Sequence, residues 1–315
     1  MSAAGAAVRR ARVQALAKIN LDLRVLGKRP DGYHELRTIF QTISLSDRLD
    51  IEFTPARKTR IELDDPLAIA DNLVTRAAQL AMDAMRTTGR VKMRLAKRIP
   101  MGAGLGGGSS DAAAVLLALP VLAGRNLDLP KLCALAQEAG SDVPFFLLGG
   151  TAAGIGRGTQ LFPLPDAPPS AGVLVAPRVH VNTAQAYRDL SPRLTTESQQ
   201  NKMVSFQTQT WEPGKGAAVN DFETVVFEQH GSLGVLKKRL LRAGASTAMM
   251  TGSGSALFGL FRTAGEAASA MASLGEERSF RISLVSRARY RSMWWRALEK
   301  HTTGRIWPPQ SRYAQ

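Results

Sequence analysis

Over residues 14–26, Lys18, Asn20 and Asp22 alternate with Ile19, Leu21 and Leu23, the period of a β-strand, which places the three polar groups on one face. A polar strand face lines a cleft better than a core. A Pro30-Asp31-Gly32 turn follows, and residues 33–45 and 49–53 read as further strands. Between 71 and 87 the period becomes helical, with Leu73, Ala77, Leu80, Ala81 and Ala84 on one stripe. Residues 91–99 alternate again. Helices are expected over about 110–119 and over 129–139, then a Gly/Pro-rich stretch at 149–170 reads as a domain boundary. The second half mixes short strands at 172–176 and 256–261 with helices at 220–228 and 233–243. Strands and helices do not alternate as a doubly wound sheet demands, so the pattern predicts an α+β architecture without internal repeats.

Composition narrows the class. The chain has 315 residues, 44% of them hydrophobic, which is ample for a packed core. Its one cysteine, Cys133, allows no intrachain disulfide, and the Ala- and Arg-rich first sixteen residues contain no apolar h-region. No apolar run reaches the length of a bilayer span. These features point to a reducing cytoplasm and away from secretion or a membrane. The formal net charge of +15 is concentrated at the ends, in Arg9, Arg10 and Arg12 and in the stretch 278–312, which also carries Trp294, Trp295 and Trp307. That distribution predicts a solvated, appended basic arm, and nucleic acid is not the expected partner.

The chemistry is concentrated in Pro100-Met101-Gly102-Ala103-Gly104-Leu105-Gly106-Gly107-Gly108-Ser109-Ser110-Asp111, between a strand and an Ala/Leu helix. Glycines at this density let backbone N–H groups approach a phosphate chain, and the helix N-terminus adds partial positive charge. Ser109 and Ser110 can donate to phosphate or hold a magnesium-bound water, and Asp111 is expected to stabilise the first helical turn. No lysine follows the last glycine, which excludes the G-x-x-x-x-G-K-[ST] loop. Gly102, Gly104 and Gly107 match G-x-G-x-x-G, but 124–130 is a loop where a dinucleotide fold needs a strand ending in an acidic residue.

This loop resembles the ATP signature of the GHMP kinases. Three segments resemble, within that superfamily, the branch that acts on a cytidine-diphosphate-linked methylerythritol: Ala17-Lys18-Ile19-Asn20-Leu21, Arg29-Pro30-Asp31-Gly32-Tyr33-His34-Glu35-Leu36 and Gly140-Ser141-Asp142-Val143-Pro144-Phe145-Phe146. Met250-Thr251-Gly252-Ser253-Gly254-Ser255-Ala256-Leu257-Phe258 resembles the third superfamily motif, so the similarity runs from about 13 to 295. The resemblance implies a two-domain fold. A ribosomal-protein-S5-domain-2-like ATP-binding domain is expected at 1–160, a ferredoxin-like domain at 161–295 and a basic tail at 296–315.

The same resemblance implies transfer of a phosphoryl group from ATP, with Mg2+, to the 2-hydroxyl of that sugar alcohol in non-mevalonate isoprenoid synthesis. Asp142 would be the base and Lys18 its electrostatic partner. Residues 100–110 would hold ATP. Tyr33, His34 and Tyr187 would form the pocket for the cytosine, and Asn20 would orient the acceptor. Homoserine and mevalonate kinases share the loop and remain the alternatives, separated by the Asp31-Gly32-Tyr33-His34 segment, since a small acceptor needs no aromatic clamp. Gly252-Ser253-Gly254 is expected to be a tight turn passing close to the glycine loop. Asn220 or Asp221 reads as a helix cap. Thr159 and Thr251, where relatives often carry glutamate and serine, are expected to lie clear of the chemistry. The metal ligands, and whether the protein is a monomer or a homodimer, stay open.

Overall fold

The computed structural model describes residues 7–194, 196–211 and 218–314; the first six residues of the Ala- and Arg-rich N-terminus lie outside them. Two sheets organise the chain. The first contains β1 (Arg9–Lys28), β2 (His34–Pro55), β3 (Arg60–Asp64), β4 (Gly89–Ala96), β5 (Thr151–Gly156) and β6 (Gln160–Pro163). Its order is β3-β4-β2-β5-β6, with β1 paired along β2 and only the β3–β4 pair parallel. The expected strands at 33–45 and 49–53 are thus one long strand, paired with β5 near its start and β4 near its end.

On this sheet pack α1 (Leu73–Ala84), α2 (Gly107–Ala123), α3 (Leu129–Ala139) and α4 (Val143–Leu148). α2 is apolar on every side because sheet and helices surround it, and Leu116 and Leu119 are fully buried. A Leu116→Ala change there would cost about 2–5 kcal/mol. The starts of α1 and α3 are capped, by the Asn72 side chain on Val74 N–H and by Asp128 on Lys131 N–H. The start of α2 is not: its N-cap is Gly106, at φ 66°, with no side-chain hydrogen bond.

The second sheet holds β7 (Ala171–Val175), β8 (Thr247–Met250), β9 (Leu257–Phe261) and β10 (Ser279–Ser283) in the antiparallel order β10-β7-β9-β8. Strand positions 4-1-3-2 are those of a ferredoxin-like unit. Between β7 and β8 run α5 (Thr183–Leu190), α6 (Thr196–Trp211), α7 (Glu223–Gln229) and α8 (Gly231–Arg242), and α9 (Ala264–Ser273) joins β9 to β10. The architecture is α+β. A third buried cluster, including Ala17, Ile19, Ile43, Leu174, Phe258 and Leu284, joins the two sheets.

The two cores do not divide at one point in the chain. β6 still pairs in the first sheet, and α10 (Arg287–Leu298) returns to the first core with Tyr290, Trp294 and Leu298 buried. The solvated C-terminal arm is a reading the structure corrects. Trp307 packs on the first core, Pro308 and Ser311 are buried, and Tyr313 sits under the Arg9 guanidinium at 3.9 Å. Tryptophans one and twelve residues apart supply the apolar area that a charge count overlooks.

Candidate active site

β1 delivers the first polar group. Lys18 is buried, its N–H donates to the glycine-loop carbonyl of Leu105 at 3.0 Å, and its Nζ donates to Asn20 Oδ1 at 2.9 Å. Asn20 Nδ2 donates to Thr38 Oγ1 at 2.7 Å, fixing the amide orientation. Lys18 Nζ also stands 3.6 Å from Asp142 Oδ2, and the Asp142 side chain is 35% exposed, open to the cleft. Asp142 sits at the N-terminus of α4, where Pro144 fits the first turn. It makes no side-chain cap, so its carboxylate is left for other partners.

The expected shared face of Lys18, Asn20 and Asp22 needs correction. The β1–β2 register shifts between Asn20 and Asp22. A bulge exchanges the two faces beyond it. Leu23 therefore lines the cleft beside Lys18 and Asn20, while Asp22 is fully buried against Arg24, with Oδ1 2.7 Å from Nε. Burial pushes the Asp22 carboxyl up despite that partner.

The glycine loop adjoins this floor. At Gly104, φ 77°, a Cβ would fall 2.2 Å from the Thr251 carbonyl oxygen; at Gly106 it would fall 2.9 Å from the Phe146 ring and 3.3 Å from the Lys18 side chain. Only glycine permits those approaches. The turn at Gly252 does pass close to the loop, as expected, and Gly252 N–H donates to Asn20 Oδ1 at 3.0 Å. Among the described residues no side chain caps α2, so the first N–H groups of that helix have no side-chain acceptor. That arrangement suits an anion. Met101 is exposed at the loop tip, and a pocket of about 380 Å³ bounded by Asn72, Leu95, Lys97 and the loop lies on its other side.

Beneath the loop lies a cluster that the sequence did not disclose. Lys97 Nζ contacts Asp47 Oδ2 at 2.5 Å and Asp111 Oδ2 at 2.7 Å, and Asp47 Oδ1 accepts the N–H groups of Arg98 and Ile99. Asp111 is thus a buried ion-pair partner and not merely a helix-dipole residue. Burial, then the neighbouring Asp47 charge, pushes its carboxyl up to about 7. Its Oδ1 and the buried Ser110 Oγ have no hydrogen-bond partner among the described residues.

A cleft of about 530 Å³ leads from Gly102, Gly104, Lys18 and Asp142 to Tyr187 and Phe222. At that far end His34 stacks on Tyr187 with centroids 4.6 Å apart, and its Nε2 is 2.7 Å from Ser191 Oγ. Burial and the Lys28 charge lower the His34 pKa, which favours neutral imidazole. Burial raises the Tyr187 hydroxyl to about 12, keeping it un-ionised. Tyr33 stands apart from the pair. It is 51% exposed and carries the Arg157 guanidinium on its face at 3.4 Å.

Two residues hold the site that the sequence reading left outside it. Thr251 is fully buried; its Oγ1 accepts from Asn20 N–H at 3.1 Å and lies 3.2 Å from Asn20 Oδ1 and 3.3 Å from Gly104 O. It therefore touches both halves of the site, which corrects the expectation that it lies clear. Asn220 Nδ2 donates to Met250 O and Gly252 O, while its Oδ1 accepts from Phe222 N–H. It fixes the third motif from the turn before α7 and does not cap that helix as expected, since the N-cap is Phe222 and no side chain caps it. No signal in a single sequence distinguishes such long-range partners from ordinary caps.

A glycine loop at an uncapped helix start, an ion-paired lysine and aspartate beside it, and a third motif clasped to both are features of the GHMP kinases. The family model for the GHMP kinases N terminal domain matches residues 72–150, and that for the GHMP kinases C terminal domain matches 208–278. The chain is 70% identical over 97% of its length to the 4-diphosphocytidyl-2-C-methyl-D-erythritol kinase of Solibacter usitatus, covering 98% of that protein. To the protein of the same name from Pelotomaculum thermopropionicum it is 43% identical, over 78% of this chain and 87% of the other. A crystal structure of 4-(cytidine 5'-diphospho)-2C-methyl-D-erythritol kinase superposes with a TM-score of 0.74 at 37% identity, covering 87% of this chain and 98% of that one. The homoserine kinase structure from Cytophaga hutchinsonii, at 18% identity and TM-score 0.65, shares the fold. The chain belongs to the 4-diphosphocytidyl-2-C-methyl-D-erythritol kinase family.

Proposed function

We propose that this enzyme moves the γ-phosphoryl group of ATP to the 2-hydroxyl of 4-diphosphocytidyl-2-C-methyl-D-erythritol, a step of non-mevalonate isoprenoid synthesis. The observation that carries this reading is the Lys18–Asp142 pair, 3.6 Å apart at the floor of a cleft whose one end is the glycine loop and whose other end is aromatic. ATP lies along residues 100–110, its phosphates on the amides at the start of α2. Asp142 accepts the proton of the attacking hydroxyl, a role worth about 10²- to 10⁴-fold. Lys18, 3.6 Å from that carboxylate, offsets charge on the transferred group. Asn20, locked by Thr38 and Thr251, orients the ammonium and the acceptor.

His34 and Tyr187 receive the cytosine, with Tyr33 at the entrance. Neutral imidazole offers a donor and an acceptor to a pyrimidine edge, and each ring contact adds about 1–3 kcal/mol. Magnesium would be held chiefly by phosphate oxygens and water, since among the described residues no three of His, Cys, Asp and Glu converge. The partnerless Ser110 hydroxyl, with Ser109, suits a magnesium-bound water. When bound, the ion would neutralise charge on the β- and γ-phosphates. Among the described residues no helix is long and apolar enough to cross a membrane. A single, half-buried cysteine and ATP as co-substrate accord with a cytoplasmic location.

ADP release should be measured with diphosphocytidyl-methylerythritol, mevalonate and homoserine side by side. Turnover of the first alone is expected; turnover of either other acceptor without it would overturn the substrate assignment.

A further inference from the structure

Residues 287–314 line no part of the cleft, yet their polar side chains reach the far ends of the two helices that serve it. α4 carries Asp142 at its start; at its other end Tyr290 Oη donates to Phe146 O at 2.5 Å and Trp307 Nε1 donates to Leu147 O at 3.1 Å. Tyr290 is fully buried with its ring against Gly149, where a Cβ would fall 2.4 Å away. α2 carries the glycine loop at its start; at its other end Ser311 Oγ donates to Val121 O at 2.8 Å. Leu122 O accepts from Arg9 Nη1 at 2.9 Å, and the Arg9 guanidinium lies over the Tyr313 ring. The backbone of Ser311 is itself tied to Asn126 Oδ1 at 2.7 Å.

The last carbonyls of a helix have no partner within it, and leaving them buried and unpaired is costly. A helix as short as α4, six residues, does not hold its own geometry without such contacts. Gly106, at the start of α2, is wedged between the Phe146 ring of α4 and Lys18, so a tilt of either helix moves the loop against the lysine.

We propose that the C-terminal segment is a positioning element for phosphoryl transfer. By gripping the C-terminal ends of α2 and α4 it sets the separation of their opposite ends, and so of the glycine loop and Asp142. Tyr290, Trp307 and Ser311 are its positioning residues. The inference rests on Asp142 being the base, as proposed above.

Trp307→Phe and Tyr290→Phe each remove one donor while keeping a ring in place. Steady-state kcat, KM for ATP and for the acceptor, and Tm are measured for each in the full chain, well below the melting temperature. Leu233→Ala, in the core of the second sheet, serves as a purely destabilising control. A kcat loss of about 10-fold or more is expected in both, with either KM changed by less than about twofold, because misplacement near 1 Å costs up to about 100-fold. The control loses Tm and keeps kcat. Wild-type kcat with only a lowered Tm, a change confined to KM, or a kcat loss that Leu233→Ala reproduces would overturn the proposal. Should an aromatic variant not fold, Ser311→Ala reads the same effect at the end of α2. Undiminished turnover in Asp142→Asn would instead sink the base assignment, whatever the positioning variants do.

Discussion

Thr251 shows how much one hydroxyl can carry. It joins the amide of Asn20 to the glycine loop, and Asn20 in turn accepts the Lys18 ammonium. Thr251→Val keeps the volume and removes the hydroxyl, leaving buried polar groups unpaired at about 1–3 kcal/mol. A kcat lower by about 10-fold is expected, with Thr251→Ser close to wild type; equal activity of the Val variant would show that the hydroxyl is dispensable. Asp111 gives a pH prediction. Its folded pKa of about 7 lies above the ordinary carboxyl value of 3.8, so the folded state binds the extra proton between those limits. Stability from this group is present below about pH 4 and is lost as pH rises towards 7. Asp111→Asn should therefore show a smaller fall in Tm between pH 5 and 8 than wild type, measured by calorimetry. At this scale the motifs singled out Lys18, Asp142 and Asn20, which the structure brings to one cleft. The sequence hid Thr251, Asn220 and the Lys97 cluster, because their partners lie tens to hundreds of residues away.

Among the elements, the glycine loop and its helix were legible because glycine density, a preceding strand and an apolar run leave few other structures open. α3 follows its periodicity residue for residue at 129–139, between the Asp128 cap and Gly140. The bulge in β1 was not legible, since a strict two-residue alternation reads the same with or without an inserted residue, and Asp22 was therefore assigned to the wrong face. α4 and α5 are too short for a periodic signal. Two of the loop's five glycines differ in a testable way. Both Gly102 and Gly104 have positive φ, but a Cβ meets nothing at Gly102 and the Thr251 carbonyl at Gly104. Gly104→Ala should raise the KM for ATP at least about 10-fold and lower Tm, while Gly102→Ala has the smaller effect in both assays. The reverse order would place the close approach elsewhere.

For the molecule as a whole, periodicity and composition set the α+β class, and the motifs set the order of the domains. They did not show that the chain closes on itself. The charge of the last forty or so residues suggested a solvated arm, whereas Tyr290, Trp294 and Trp307 bury against the first core and tie its helices. Folding thus gathers loop, lysine and carboxylate from β1, α2 and α4 and encloses them between two sheets. The most direct test is a rapid-quench single turnover of Asp142→Asn with ATP and diphosphocytidyl-methylerythritol, alongside a calorimetric measurement of the binding of each. Wild-type affinity for both ligands with phosphoryl transfer slowed at least about 100-fold is the expected result. Transfer at the wild-type rate would contradict a carboxylate base at this position and, with it, the assignment of the cleft floor as the place where the chemistry occurs.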